Sequence, residues 1–374
     1  MNESSQQKLS TFYDEGNISP LVNLVKFLLM PFVFFGLLGF PVLSFLEGRG
    51  LTISTIISNY VNAISGFAGL AFFTLCGFFV LVPDRERRMR KITRALGRSF
   101  FTFVILFVCY LAINLFYFYY TGRMDQLLSP ELLRLRTPFN FLVLNVWPLS
   151  VGGGIWFIQS LLYAYLFFFV VEKIKLSKTW FYLAILILTL AFMLYSGEFA
   201  GLTKFSLLGY SYIPGGAVTK AIPFMLIGMF LRRGVDKLAK IPWGVYLVTF
   251  FFGILLSAGE LYFLSKSGYL VYTGNMIGYA VMAISIVCFA VTGPTLWEDS
   301  FFGNHGRSYA RRMYAFCQPC AFFLWFLFVL LDRLEIWTTF ISPYQSLICF
   351  AISFGLAVLI GWIRYKISTR EQRF

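Results

Sequence analysis

The chain reads as an all-helical, multi-pass membrane protein of about ten spans, with both termini in the cytoplasm. Composition, the spacing of apolar runs and the uneven placement of positive charge predict it. Of 374 residues, 59% are hydrophobic, 20% aromatic and only 13% charged, and the mean hydropathy is +0.75. A soluble domain carries about 25% charged residues, and a water-facing surface cannot be covered with half as many. Disorder needs the opposite composition. A coiled coil needs a sustained heptad, and no period repeats here.

A membrane helix takes about 20 mostly apolar residues. Ten segments meet or approach that length: about 21–45, 60–82, 98–119, 152–171, 179–195, 217–231, 243–264, 271–292, 315–331 and 342–363. The sixth is short but is closed by Arg232 and Arg233. The expected organisation is a cytoplasmic tail over 1–20, one transmembrane domain over 21–364 and a basic cytoplasmic tail over 365–374. The polar first twenty residues do not resemble a cleavable signal, and the first apolar run is too long for one.

Orientation follows from Lys and Arg outside the spans. Twenty-two lie in the two tails and the loops after spans 2, 4, 6 and 8, against eight in the opposite loops. Both termini are therefore expected in the cytoplasm, in a cell membrane. Much of the +14 net charge is a topology signal, and nucleic acid is not an expected partner. The densest run is Arg85, Glu86, Arg87, Arg88, Arg90, Lys91, Arg94 and Arg98, read as a loop after span 2. It reads first as an anchor on anionic lipid and alternatively as a docking surface for a phosphorylated ligand, since Arg forks match phosphate.

Cys76, Cys109, Cys288, Cys317, Cys320 and Cys349 fall in or beside spans, so no extracellular disulfide framework is expected. Cys317 and Cys320 form one C-x-x-C without a second pair or an adjacent histidine, a weak metal signal. No metal is expected. Lys26 and Glu260 are the ionisable residues clearly inside spans, hence functional candidates. Helix rise places Lys26 about 8 Å into span 1 and Glu260 about 25 Å into span 7. Snorkelling to the nearer interface is the alternative for each. Asn114, Gln159 and Gln318 are candidate interhelical hydrogen-bond partners. The single histidine, His305, lies in a loop, and no nucleophile elbow, zinc-protease pattern or Walker loop is present.

Several local patterns then occur in a recognisable order. Phe72-Phe73-Thr74-Leu75-Cys76-Gly77-Phe78 closes span 2, and Gly154-Ile155-Trp156-Phe157-Ile158-Gln159-Ser160-Leu161-Leu162 lies in span 4. Pro223-Phe224-Met225-Leu226-Ile227-Gly228-Met229-Phe230-Leu231-Arg232-Arg233 ends span 6, and Met313-Tyr314-Ala315-Phe316-Cys317-Gln318-Pro319 enters span 9. Together, over about 21–335, the chain resembles acyltransferase family 3. The resemblance implies a ten-helix O-acyltransferase that moves an acyl group from cytoplasmic acyl-CoA to a hydroxyl of an envelope polysaccharide or lipid-linked sugar. Acyl-CoA would be a donor substrate, with no permanently bound cofactor.

The family's Arg position in span 1 falls on Lys26 and its histidine position on Leu37. The second histidine position falls on Gln318, and the span 2 serine on Cys76. A hydroxyl acceptor needs a positioned base, which leucine and glutamine do not supply. Glu260, at about the depth of Leu37, is the expected substitute. Under this reading Lys26, Arg85, Arg88, Arg90 and Arg98 hold CoA phosphates. Leu37, Cys76, Trp156, Gln159 and Gln318 line the substrate cavity. The alternative is a catalytically inactive relative serving as a transporter, translocation subunit or membrane partner protein.

Overall fold

The computed structural model describes residues 9–15, 17–33, 66–122, 124–126, 156–197, 199–204, 216–268, 276–293, 306, 308–310, 312–313 and 345–371. Regular structure among these residues is entirely helical. The helices are α1 (Leu9–Asp14), α2 (Pro20–Leu28), α3 (Phe67–Val80), α4 (Arg85–Thr121), α5 (Trp156–Lys173), α6 (Thr179–Ser196), α7 (Ile222–Arg233), α8 (Val235–Leu238), α9 (Trp243–Lys266), α10 (Ile277–Thr292) and α11 (Gln345–Glu371). One π-helical turn, Ala217–Ala221, leads into α7.

Arg85–Phe116, Trp156–Lys173, Thr179–Ser196 and Trp243–Lys266 are long and apolar enough to cross a membrane. Their outward residues are apolar: Phe101 on α4 is 67% exposed, Leu188 on α6 64% and Leu255 on α9 70%. A water-soluble protein does not spread such patches over its surface. The chain is a membrane protein.

Local chemistry sets several boundaries. Asp84 caps α4, its carboxylate accepting from the backbone N–H of Glu86 and Arg87 at 3.3 and 3.2 Å. Gly122 ends α4 at a φ of +68°, where a side chain would be strained. The basic run expected as a loop is therefore the first turns of a 37-residue helix. Arg and Lys are good helix formers, and a strong N-cap outweighs their charge. The N-terminal tail also departs from a plain polar tail, because residues 9–14 form a docked helix.

Packing divides the chain into two compact units. The first comprises residues 1–17 and 69–293. Here α4 packs along α5, α5 against the π turn, and α9 along α10. Small residues let backbones meet. A Cβ added to Gly77 on α3 would collide with the backbone of Met225, and one on Gly228 of α7 with the Thr74 carbonyl. The α9–α10 crossing is built likewise, with Gly253 against Met282 and Gly278 against Ser257. In the second unit, residues 18–68 and 294–374, Phe27 of α2 meets Phe354 of α11 at 6.0 Å between ring centroids. The backbone at Gly306 approaches that of Asn23 so closely that a Cβ would not fit.

The α3–α7 crossing generates a prediction. Gly228→Leu should cost about 3 kcal/mol or more by overpacking. The detergent-solubilised protein's Tm should fall by about 5–10 °C. Gly97→Ala, in a helix interior with nothing near its added methyl, should leave Tm unchanged or slightly raised.

Candidate functional site

Consecutive helices of the first unit alternate in direction, so charges at their ends collect at two places. The starts of α4, α6 and α9 and the ends of α3, α5, α7 and α10 share one end, joined by the contacts described next. Arg85, Arg87, Arg88, Lys91, Glu172, Arg232, Asp236 and α1 lie there and make it the basic end.

The most enclosed interaction at the basic end joins α4 to α5. Arg88 is 4% exposed and Glu172 fully buried. Arg88 Nε donates to Glu172 Oε1 at 2.5 Å, and Nη2 to Oε2 at 3.3 Å. Arg88 Nη1 donates to the carbonyls of Val82 and Pro83 at 2.9 and 3.0 Å. Tyr182 of α6 donates its hydroxyl to Glu172 Oε1 at 2.7 Å. Arg85 donates to the Glu172 carbonyl at 2.9 Å, and its Nε lies 3.6 Å from Oε2. The Arg88 fork is thus turned inward, with four of its five N–H groups donated to Glu172 and to two carbonyls, so it serves α4–α5 packing and not the phosphate expected of it. Arg85 remains half-exposed.

Arg90, Arg94 and Arg98 are exposed on α4. Their four-residue spacing makes one stripe along the helix. No ion pair involves them among the described residues.

A second cluster surrounds α1. Arg232 Nη2 meets Asp14 Oδ1 at 2.6 Å, with its guanidinium 5.0 and 5.2 Å from the ring centroids of Tyr13 and Phe78. Tyr13 donates its hydroxyl to the Val291 carbonyl at 2.9 Å. Burial raises its phenol above the usual range, and the nearby Arg232 opposes that only in part. Arg87 Nη1 donates to the Asp14 carbonyl at 3.1 Å, and Ser10 N to Asp236 Oδ1 at 2.9 Å. One six-residue helix therefore ties together α3, α4, α7, α8 and α10.

At the opposite end, Trp156 of α5 lies against Gly69. Its ring carries the Lys220 ammonium 5.2 Å from the centroid. Gln159 is fully buried and donates to the Tyr163 hydroxyl at 3.3 Å. Cys76 of α3 lies beside Tyr165 of α5. Trp156, Gln159, Cys76 and Lys220 thus belong to the mutually packed α3, α5 and π turn. Asn114 donates to the Tyr110 carbonyl of its own helix at 2.7 Å.

Glu260 has a defined task on α9. Its Oε1 accepts from Ile277 N at 3.2 Å and its Oε2 from Gly278 N at 3.0 Å. These are the first two amides of α10, whose own N-cap residue, Met276, makes no side-chain cap. A neighbouring helix thus supplies the missing cap.

Lys26 is half-buried in the last turn of α2 and belongs to the second unit. Leu37, Gln318, His305 and the Cys317–Cys320 pair lie outside the described residues. Among the described residues no three His, Cys, Asp or Glu side chains converge as a metal site would need. Sequence reading passed over Glu172, Asp14 and Lys220. Glu172 sits immediately past the expected span 152–171 and Lys220 in the first turn of the expected span 217–231, whereas nothing local distinguishes Asp14 within the polar first twenty residues.

Glu172→Gln should destabilise the protein by about 3–5 kcal/mol, because it leaves the Arg88 charge buried without its counter-charge. Arg90→Gln, on the exposed stripe, should change stability by less than about 0.5 kcal/mol. Chemical denaturation in a defined detergent compares the two.

Comparison with protein-family models, with curated proteins and with solved structures finds no match to this chain.

Proposed function

We propose that this chain is a multi-pass protein of the cell membrane, of about ten spans, with the basic end of its first unit in the cytoplasm. There it binds a phosphorylated donor, acyl-CoA by resemblance to acyltransferase family 3. The acyl group passes to a hydroxyl of an envelope polysaccharide or lipid-linked sugar. The observation that carries the donor site is the exposed stripe of Arg90, Arg94 and Arg98. Guanidinium forks suit phosphate oxygens, and these three are not consumed by ion pairs among the described residues. Half-exposed Arg85 adds to the same end, and Lys26 stands where the family keeps its arginine.

In the transfer the acceptor oxygen attacks the thioester carbonyl. A C–O bond forms, the C–S bond breaks, and the CoA thiolate takes up the proton that leaves the acceptor hydroxyl. Glu260 is the proposed acceptor of the hydroxyl proton, since a carboxylate oxygen that receives one N–H keeps a second lone pair. Glu260 lies about 25 Å along α9 from its basic end, so the acyl arm of the donor has to reach deep into the membrane. A second reading, a non-catalytic translocation subunit or partner protein, is favoured by the same residue. Its two oxygens already serve α10, and the family's histidine positions hold Leu37 and Gln318.

Acyl-CoA binding to the full chain in neutral-lipid nanodiscs should weaken as salt rises from low to physiological ionic strength. The triple substitution Arg90→Gln, Arg94→Gln, Arg98→Gln should weaken it by at least about tenfold, or 1.4 kcal/mol. Glu260→Gln should then abolish transfer while sparing acyl-CoA binding. Undetectable acyl-CoA binding by the wild type rejects the transferase reading. Binding without any transfer supports the second reading.

A further inference from the structure

The α1 contacts hold more positive charge than they neutralise. Arg232 meets the Asp14 carboxylate, Arg87 donates to the Asp14 carbonyl, and Lys91 lies within electrostatic range of Arg87, Arg232 and Asp14. Lys91 Nζ donates to the Phe79 carbonyl at 3.0 Å, which fixes it beside the group. The Arg232 side chain is only 2% exposed, whereas Asp14 is 49% exposed. The guanidinium is thus sealed beneath a carboxylate that solvent can reach. Arg87 is also paired with Asp84 at 3.6 Å, so three cations against two carboxylates leave an excess of about one charge, and a dianionic phosphoryl group in the place of Asp14 would bring the cluster into balance where a carboxylate does not.

We infer that Arg87, Lys91 and Arg232 form a binding site for a di- or polyphosphate. Asp14 is its resident anion, and α1 is a clasp that the ligand releases. The phosphoryl oxygens take the place of the Asp14 carboxylate on Arg232 and gain Arg87 and Lys91. Loss of the Asp14 contact loosens Tyr13 from Phe78 and Val291, because the phenol and carboxylate are adjacent on one short helix. The site goes beyond the donor stripe, since none of its three cations belongs to that stripe, and it stands whether or not the chain transfers acyl groups.

Inorganic pyrophosphate is the probe, with the full chain in neutral-lipid nanodiscs, calorimetry for affinity and hydrogen exchange for residues 9–14. Pyrophosphate should bind and should raise exchange across residues 9–14. Asp14→Asn should tighten binding by about fivefold, because the competing anion is gone and the competent state is more populated. Arg87→Gln with Lys91→Gln should weaken binding by at least about tenfold. Neither of these side chains is fully buried, so this variant tests the site even where Arg232→Gln fails to fold. Unchanged exchange on adding pyrophosphate, or equal affinity for wild type and Asp14→Asn, overturns the inference. So does binding that is lost in the Arg90, Arg94, Arg98 variant but retained in the Arg87, Lys91 variant. Absent acyl-CoA binding with these pyrophosphate results intact rejects only the transferase reading.

Discussion

The Arg88–Glu172 pair is the contact on which the rest of the first unit depends. Both charges are withdrawn from water at the end of an apolar bundle, where neither is tolerated alone. Glu172 is held by α4 through Arg88 and Arg85, and by α6 through Tyr182. That fixes how far α5 extends, and so where Trp156 lies, about 24 Å away at its other end. The Trp156 ring in turn carries Lys220 and rests on Gly69. The polar residues at the two ends are therefore coupled through the length of one rigid helix.

Within the bundle, packing depends on close backbone approach. Apolar side chains gain little by leaving lipid for protein, so helix association rests on shape and on satisfied polar groups. Gly77 and Gly228 supply the shape at the α3–α7 crossing. Both glycines belong to segments that carry the resemblance to acyltransferase family 3. For these two segments the observed role is a helix crossing, which any function built on the same scaffold would need. Glu260 illustrates satisfied polarity: a carboxylate in an apolar helix is accommodated because α10 begins beside it with two amides to offer.

Much of this was legible from hydropathy. The expected spans 98–119, 179–195 and 243–264 fall on α4, α6 and α9, because a long apolar run in lipid has to be helical. The basic run 85–98 has the charge density of a solvated connection, while the Asp84 cap that starts the helix is a single residue. The partner of Arg88 lies 84 residues away, and spacing along a chain does not report such pairs. Glu172 lies one position past the expected span 152–171, where hydropathy assigns it no partner. Asp14 was lost in a polar tail whose docking depends on Arg232, 218 residues distant. Ion pairs between distant segments are a property of the fold, whereas apolar length is a property of the segment.

The most direct test of the account is a double-mutant cycle on Arg88→Leu and Glu172→Leu, read by denaturation of the protein in detergent. Each single substitution should cost about 3–5 kcal/mol, because it strands one buried charge. The double substitution should recover most of that loss, since an apolar pair of similar size removes both desolvation costs. The coupling energy should then exceed about 2 kcal/mol. Single losses below about 0.5 kcal/mol that simply add would contradict the account, because they would mean that the two charges neither meet nor leave water.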